Sequence, residues 1–81
     1  MKKVGKITKD IRGIEAVSCF VRVAVDFESE ITIQKDGVVG NAKSMMFVLS
    51  MMLDKGTEVT ITASGADEED AIDTLSRVLG F

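Results

Sequence analysis

Two short segments of this chain set reactive side chains where chemistry could be done: Gly13-Ile14-Glu15-Ala16-Val17-Ser18 and Asn41-Ala42-Lys43-Ser44-Met45-Met46. In the first, a lone carboxylate, Glu15, stands at the start of an apolar periodic stretch. There the positive end of a helix dipole stabilises negative charge by about 0.3–1 kcal/mol. In the second, the hydroxyl of Ser44 directly precedes an apolar run and can accept the unpaired backbone N–H groups of a first helical turn. Neither segment has the neighbour that nucleophilic or general-base catalysis requires, because the chain contains no histidine and one cysteine, Cys19. That thiol has no imidazole for a Cys/His pair or a zinc site and no second thiol for a disulfide. It reads as a small buried hydrophobe. The glycines are isolated, so P-loop and dinucleotide fingerprints are missing too. The expectation is a protein that is not an enzyme and holds no metal or cofactor.

Composition narrows the class further. With 81 residues the chain predicts one domain over 1–81, and a domain of this size buries only roughly 60–65% of the surface its unfolded chain exposes, too little to enclose a large cavity. A net charge of −3, ten scattered basic residues and the lack of Tyr and Trp argue against nucleic-acid binding, which needs clustered cations and stacking aromatics. No apolar run approaches the ~20 residues that span a bilayer, and the basic start Met1-Lys2-Lys3 is followed by no apolar signal-peptide core. A cytoplasmic protein with no membrane partner is expected.

The elements that would position these residues follow from periodicity. Val4 to Lys9 alternates weakly and predicts an edge strand whose lysines discourage pairing. Ala16, Phe20, Val23, Ala24 and Phe27 recur with helical spacing and predict a helix over about 15–27. Ile31 and Ile33 alternate with Thr32 and Gln34 up to Asp36-Gly37, a hairpin signal, with Val38 to Asn41 as the returning strand. Ser44 caps a helix running to about Leu53, and Lys55-Gly56 closes it. Val59, Ile61 and Ala63 alternate with polar residues as a half-buried strand. Asp67-Glu68-Glu69-Asp70 opens a last helix with stripe Ala71, Leu75, Val78 and Leu79. The order is βαββαβα, an α+β arrangement in which helices cover one face of an antiparallel sheet.

That order, with Gly-Ile before the first helix, Asn-x-Lys-Ser-x-Met before the second and Gly-x-Asp-Glu-x-Asp-Ala-Ile before the third, resembles the HPr family of the bacterial phosphoenolpyruvate:sugar phosphotransferase system, over Val4 to Leu79. The resemblance implies an open-faced sandwich: a four-stranded antiparallel sheet with three helices on one face. The family's acceptor motif, G-I-H-A-R-P-A, falls on Gly13 to Cys19, where only Gly13, Ile14 and Ala16 agree. In that alignment Glu15 occupies the position of the phosphoacceptor histidine. A carboxylate there could at most form an acyl phosphate, whereas a neutral imidazole is nucleophilic near pH 7. Val17 stands in place of the arginine whose fork would neutralise the phosphoryl group. The resemblance therefore implies a protein of the Crh type, without phosphocarrier activity, acting in sugar transport and carbon catabolite regulation.

Ser44 matches the serine that, in HPr proteins of many Gram-positive bacteria, an ATP-dependent kinase phosphorylates, after which the protein docks on catabolite control protein A. By resemblance the partners are thus a serine kinase and a transcriptional regulator or sugar-system protein. Such paralogues usually have Gly where this chain has Phe47. The segment after Ser44 carries a further signal: from Met45 to Leu53 every residue except Ser50 is apolar, so no single stripe can bury them all. If Val48 and Met51 pack on the sheet, Met45, Leu49 and Met52 are exposed. The expected partner-binding set is Met45, Met46, Phe47, Leu49 and Met52 with Glu15 and Val17, since methionine-rich surfaces adapt to varied partners. A constitutive interaction module, including a homodimer formed through this helix, is the alternative.

Overall fold

Val59, Ile61 and Ala63 are buried while Glu58, Thr60 and Thr62 point the other way, and this alternation makes Glu58–Ser64 a central strand of a four-stranded sheet. The structure, a computed structural model, describes residues 1–81. Its elements in chain order are β1 (Lys2–Lys6), α1 (Ile14–Val25), β2 (Glu30–Lys35), β3 (Val38–Asn41), α2 (Met45–Ser50), β4 (Glu58–Ser64) and α3 (Glu68–Leu79). The strands lie in the order β1-β4-β2-β3, all neighbours antiparallel. Ile31, Ile33, Val59, Ile61 and Ala63 form the buried sheet face, and the helices supply Phe20, Val48 and Leu75 to the same core. Thr32, Gln34, Thr60 and Thr62 occupy the opposite, open face. This is the expected α+β open-faced βαββαβα sandwich. No helix is long and apolar enough to cross a membrane.

Several boundaries differ from the sequence reading, each for a local reason. The first strand is Lys2–Lys6, not Val4 to Lys9. Past Lys6 the regular strand ends: Ile7 is buried and still bonds to Thr57 and Gly56, but Thr8 N–H turns away to donate to the Leu79 carbonyl at the end of α3 at 3.1 Å. In α1 the buried stripe is Val17, Phe20, Val21 and Ala24, and the helix stops at Val25, leaving Phe27 outside it. Ala16 and Val23 are only half-buried. Two overlapping apolar stripes exist in this valine-rich helix, and contact with the sheet selects the i, i+3, i+4, i+7 set. Cys19 falls on the other side and is exposed, contrary to its expected burial.

The Asp36-Gly37 signal is realised, with both residues at positive φ (51° and 80°), the conformation that a tight two-residue hairpin demands. Helix α2 ends at Ser50, three residues short of Leu53. Met52 takes a positive φ of 54°, and Lys35 Nζ donates to the Met51 carbonyl at 2.6 Å and the Met52 carbonyl at 3.1 Å, satisfying the helix end from β2. The acidic start of α3 is as expected. Asp67 does more than favour the dipole: its carboxylate accepts the backbone N–H groups of Glu28 (2.8 Å) and Ser29 (2.9 Å) and the Ser29 hydroxyl.

The Ser29 hydroxyl first, then the Glu28 N–H, hold the Asp67 carboxyl below the usual carboxylate range. A depressed pKa stabilises the fold above the unfolded value near 3.8, and that contribution is lost as pH falls through the lower folded value. Denaturant midpoints measured from pH 7 to pH 2 are therefore expected to fall below about pH 4, and the part due to this carboxylate to be missing in Asp67→Asn. Equal acid slopes in the two proteins would contradict this assignment.

Candidate functional site

The Ser44 turn is built by the residues on either side of it. Asn41, the last residue of β3, accepts the Lys43 N–H through its side chain at 2.9 Å, and its carbonyl accepts the Ser44 N–H at 3.0 Å. This Asx-type turn redirects the chain from sheet to helix. Ser44 then stands extended (φ −95°, ψ 112°) with its hydroxyl accepting the Phe47 N–H at 3.3 Å, so it is the N-cap that its position predicted. Lys43 reaches back to the Phe27 carbonyl at 2.6 Å, tying the start of α2 to the segment after α1.

The helix that follows sorts its apolar residues by depth. Val48 and Met51 are buried, as the wheel predicted, but of the three residues expected to be exposed only Met52 is: Met45 and Leu49 are half-buried against the core, as is Phe47, and Met46 is 84% exposed. Phe47 has a specific seat: a β-carbon added to Gly40 would lie 2.3 Å from its ring, so the aromatic lies flat on the glycine backbone of β3. Gly40→Ala should displace the ring and cost about 1–3 kcal/mol in a urea titration. The loss should shrink in a Phe47→Ala background, and additive losses would show that the two positions are not coupled.

Glu15 lies exposed in the first turn of α1, where Gly13 provides no side-chain cap. Arg12 is paired with Asp54 at 2.9 Å, so this nearest arginine in the chain is already engaged. Val17 is fully buried, which corrects its assignment to a binding surface: it points into the core beside Phe20 and cannot meet a partner. The Ile11 N–H bonded to the Leu53 carbonyl at 2.8 Å, together with the Arg12–Asp54 pair, fixes the approach to α1 against the exit from α2. Ser44 caps one end of α2, which rises about 9 Å along its six residues, and the Ile11–Leu53 and Arg12–Asp54 contacts lie beyond its other end. Ile14, a motif match left out of the expected partner-binding set, is 66% exposed beside Glu15. An apolar residue off the buried stripe was the signal that could have found it.

This arrangement is a helix capped by a half-buried serine, with Met46 and Met52 exposed, and a carboxylate without a base. Residues 13–80 match the family model described as the PTS HPr component phosphorylation site. The chain belongs to the HPr family. Among curated proteins it is similar to the HPr-like protein Crh of Bacillus subtilis (strain 168), 41% identical over 66 residues that span 79% of this chain and 78% of Crh. The fold is similar to that of the phosphocarrier protein HPr from Bacillus anthracis str. Ames, with a TM-score of 0.90 at 32% identity, covering 98% of this chain and 95% of that one. A crystal structure of Bacillus subtilis Crh, described as a domain-swapped, intertwined dimer, is similar with a TM-score of 0.79 at 37% identity over 88% of this chain and 82% of that one. This HPr-family chain has no histidine at any position.

Proposed function

We propose that this HPr-family protein has lost histidine phosphocarrier activity and works as a regulatory docking protein whose state is set by phosphorylation of Ser44. The observation that carries the reading is the combination of a histidine-free sequence with a cap serine two residues from the exposed Met46. A carrier needs a nucleophile that accepts and releases phosphate near neutral pH, and Glu15 stands without an assisting base or guanidinium. A kinase substrate needs only a reachable hydroxyl. A phosphate on Ser44 would sit among the N–H groups of a helix start and is structurally tolerated there. The protein is then a substrate of a serine kinase and a ligand of a transcriptional regulator or sugar-system protein, not a catalyst.

Intact mass after incubation with phosphoenolpyruvate and the first enzyme of the sugar system should remain unchanged, whereas incubation with a serine kinase of this system and ATP should add one phosphoryl group, lost in Ser44→Ala. A stable adduct on Glu15 or Cys19 in the first incubation would overturn the loss of carrier activity. A second reading is a constitutive interaction or self-association module. It is favoured by the Phe47 N–H bond to Ser44, which already explains the serine as a cap, and by the dimer described for Crh.

A further inference from the structure

We infer that the free edge of β3 is a self-pairing site, through which two copies of this chain join their sheets about a two-fold axis beside Val39. The two sheet edges differ in charge. The β1 edge carries Lys2, Lys3 and Lys6, which repel an approaching strand of the same kind. The β3 edge, Val38–Asn41, carries no charge, and Val38 and Val39 are 56% and 54% exposed on opposite sides of the strand. Only this edge can meet a copy of itself without placing like charges face to face.

The register follows from hydrogen-bond alternation. Ala42 N–H donates to the Ile31 carbonyl at 3.0 Å, so Ile31 and Ala42 are a hydrogen-bonded pair, and two-residue periodicity makes Ile33 and Gly40, then Lys35 and Val38, the next ones. The N–H and C=O groups of Val39 and Asn41 therefore point away from β2. The Asn41 carbonyl is already used by the Ser44 N–H. Val39 is left with both groups free, and an antiparallel copy pairs best with Val39 opposite Val39. That register sets Val38 of each copy beside Gly40 of the other, against the edge of the Phe47 ring. The same count sets Asn41 of each copy opposite Gly37 of the other, so the paired positions 37–41 hold no charged residue. Strands of four residues join less than the ~1,200 Å² of a stable interface, so the dimer is weak.

Sedimentation of the unmodified protein between ~10 µM and ~1 mM should show the average mass rising toward that of a dimer. Val39→Pro removes the outward N–H without touching the β2 ladder and should remain monomeric throughout with a normal thermal transition. In a Cys19→Ser background, Val39→Cys should form an intermolecular disulfide, because hydrogen-bonded antiparallel pairs hold their Cα atoms about 5.5 Å apart. Val4→Cys on the lysine edge should form far less. The cross-link decides the matter even where Val39→Pro fails to fold. A monomer at every concentration overturns the inference, as does a dimer that forms without a Val39→Cys cross-link, which would mean strand exchange or pairing through α2. Neither result bears on Ser44, so this inference and the proposed function can fail separately.

Discussion

Val17→Arg is expected to destabilise the protein by about 3–5 kcal/mol, enough to unfold much of a small domain at physiological temperature. In the motif alignment, arginine at this position is what a phosphocarrier would need, so Glu15→His with Val17→Arg looks from sequence like the change that restores transfer. The side chain of Val17 is instead fully buried against the core formed with Phe20 and Ala24. A guanidinium there replaces an isopropyl group packed in the apolar core and must either remain desolvated or prise α1 from the sheet to reach water. Glu15→His alone, at an exposed position, should leave stability nearly unchanged and restore little transfer. Urea titration of the three proteins checks the first claim and phosphoryl transfer the second. A well-folded Val17→Arg with efficient transfer in the double variant would show that α1 can turn to present this position.

Val17 is misplaced by sequence reasoning because its helix carries two apolar stripes. Helical spacing identifies α1 as a helix, but Ala16-Phe20-Val23-Ala24 and Val17-Phe20-Val21-Ala24 are both apolar at helical intervals. Only the position of the sheet chooses between them. The same rotation explains why Cys19 is exposed. Features encoded within a few residues were legible: the alternation of Val59, Ile61 and Ala63, the Asp36-Gly37 turn, the Ser44 cap and the burial of Val48 with Met51. Contacts between distant segments were not. Nothing near Phe47 announces that Gly40 receives its ring, and nothing near Asp67 announces Ser29, 38 residues away. The end of α2 belongs to the same class, since Lys35 of β2 and the Ile11–Leu53 bridge set it.

Phosphorylation of Ser44 is expected to raise affinity for an arginine-bearing partner about 100-fold or more. The modification adds roughly −1.5 to −2 charges and can make one to three new charge-assisted hydrogen bonds, each worth about 1.5–3 kcal/mol. Within the chain, Lys43 Nζ is engaged by the Phe27 carbonyl, and Met46, two residues after Ser44, is 84% exposed. Ser44→Ala should abolish the gain and cost the cap, about 0.5–2 kcal/mol of stability. Met46→Glu should weaken docking at least tenfold by placing a charge in an apolar contact, yet leave the thermal transition in place because that side chain is 84% exposed. Calorimetric titration of a partner against modified and unmodified protein separates the two readings of this surface. Affinity that rises with the phosphate and collapses in both variants supports a switch. Binding that is indifferent to kinase treatment and to Ser44→Ala, but lost in Met46→Glu, would sink the switch and leave α2 as a permanent apolar contact.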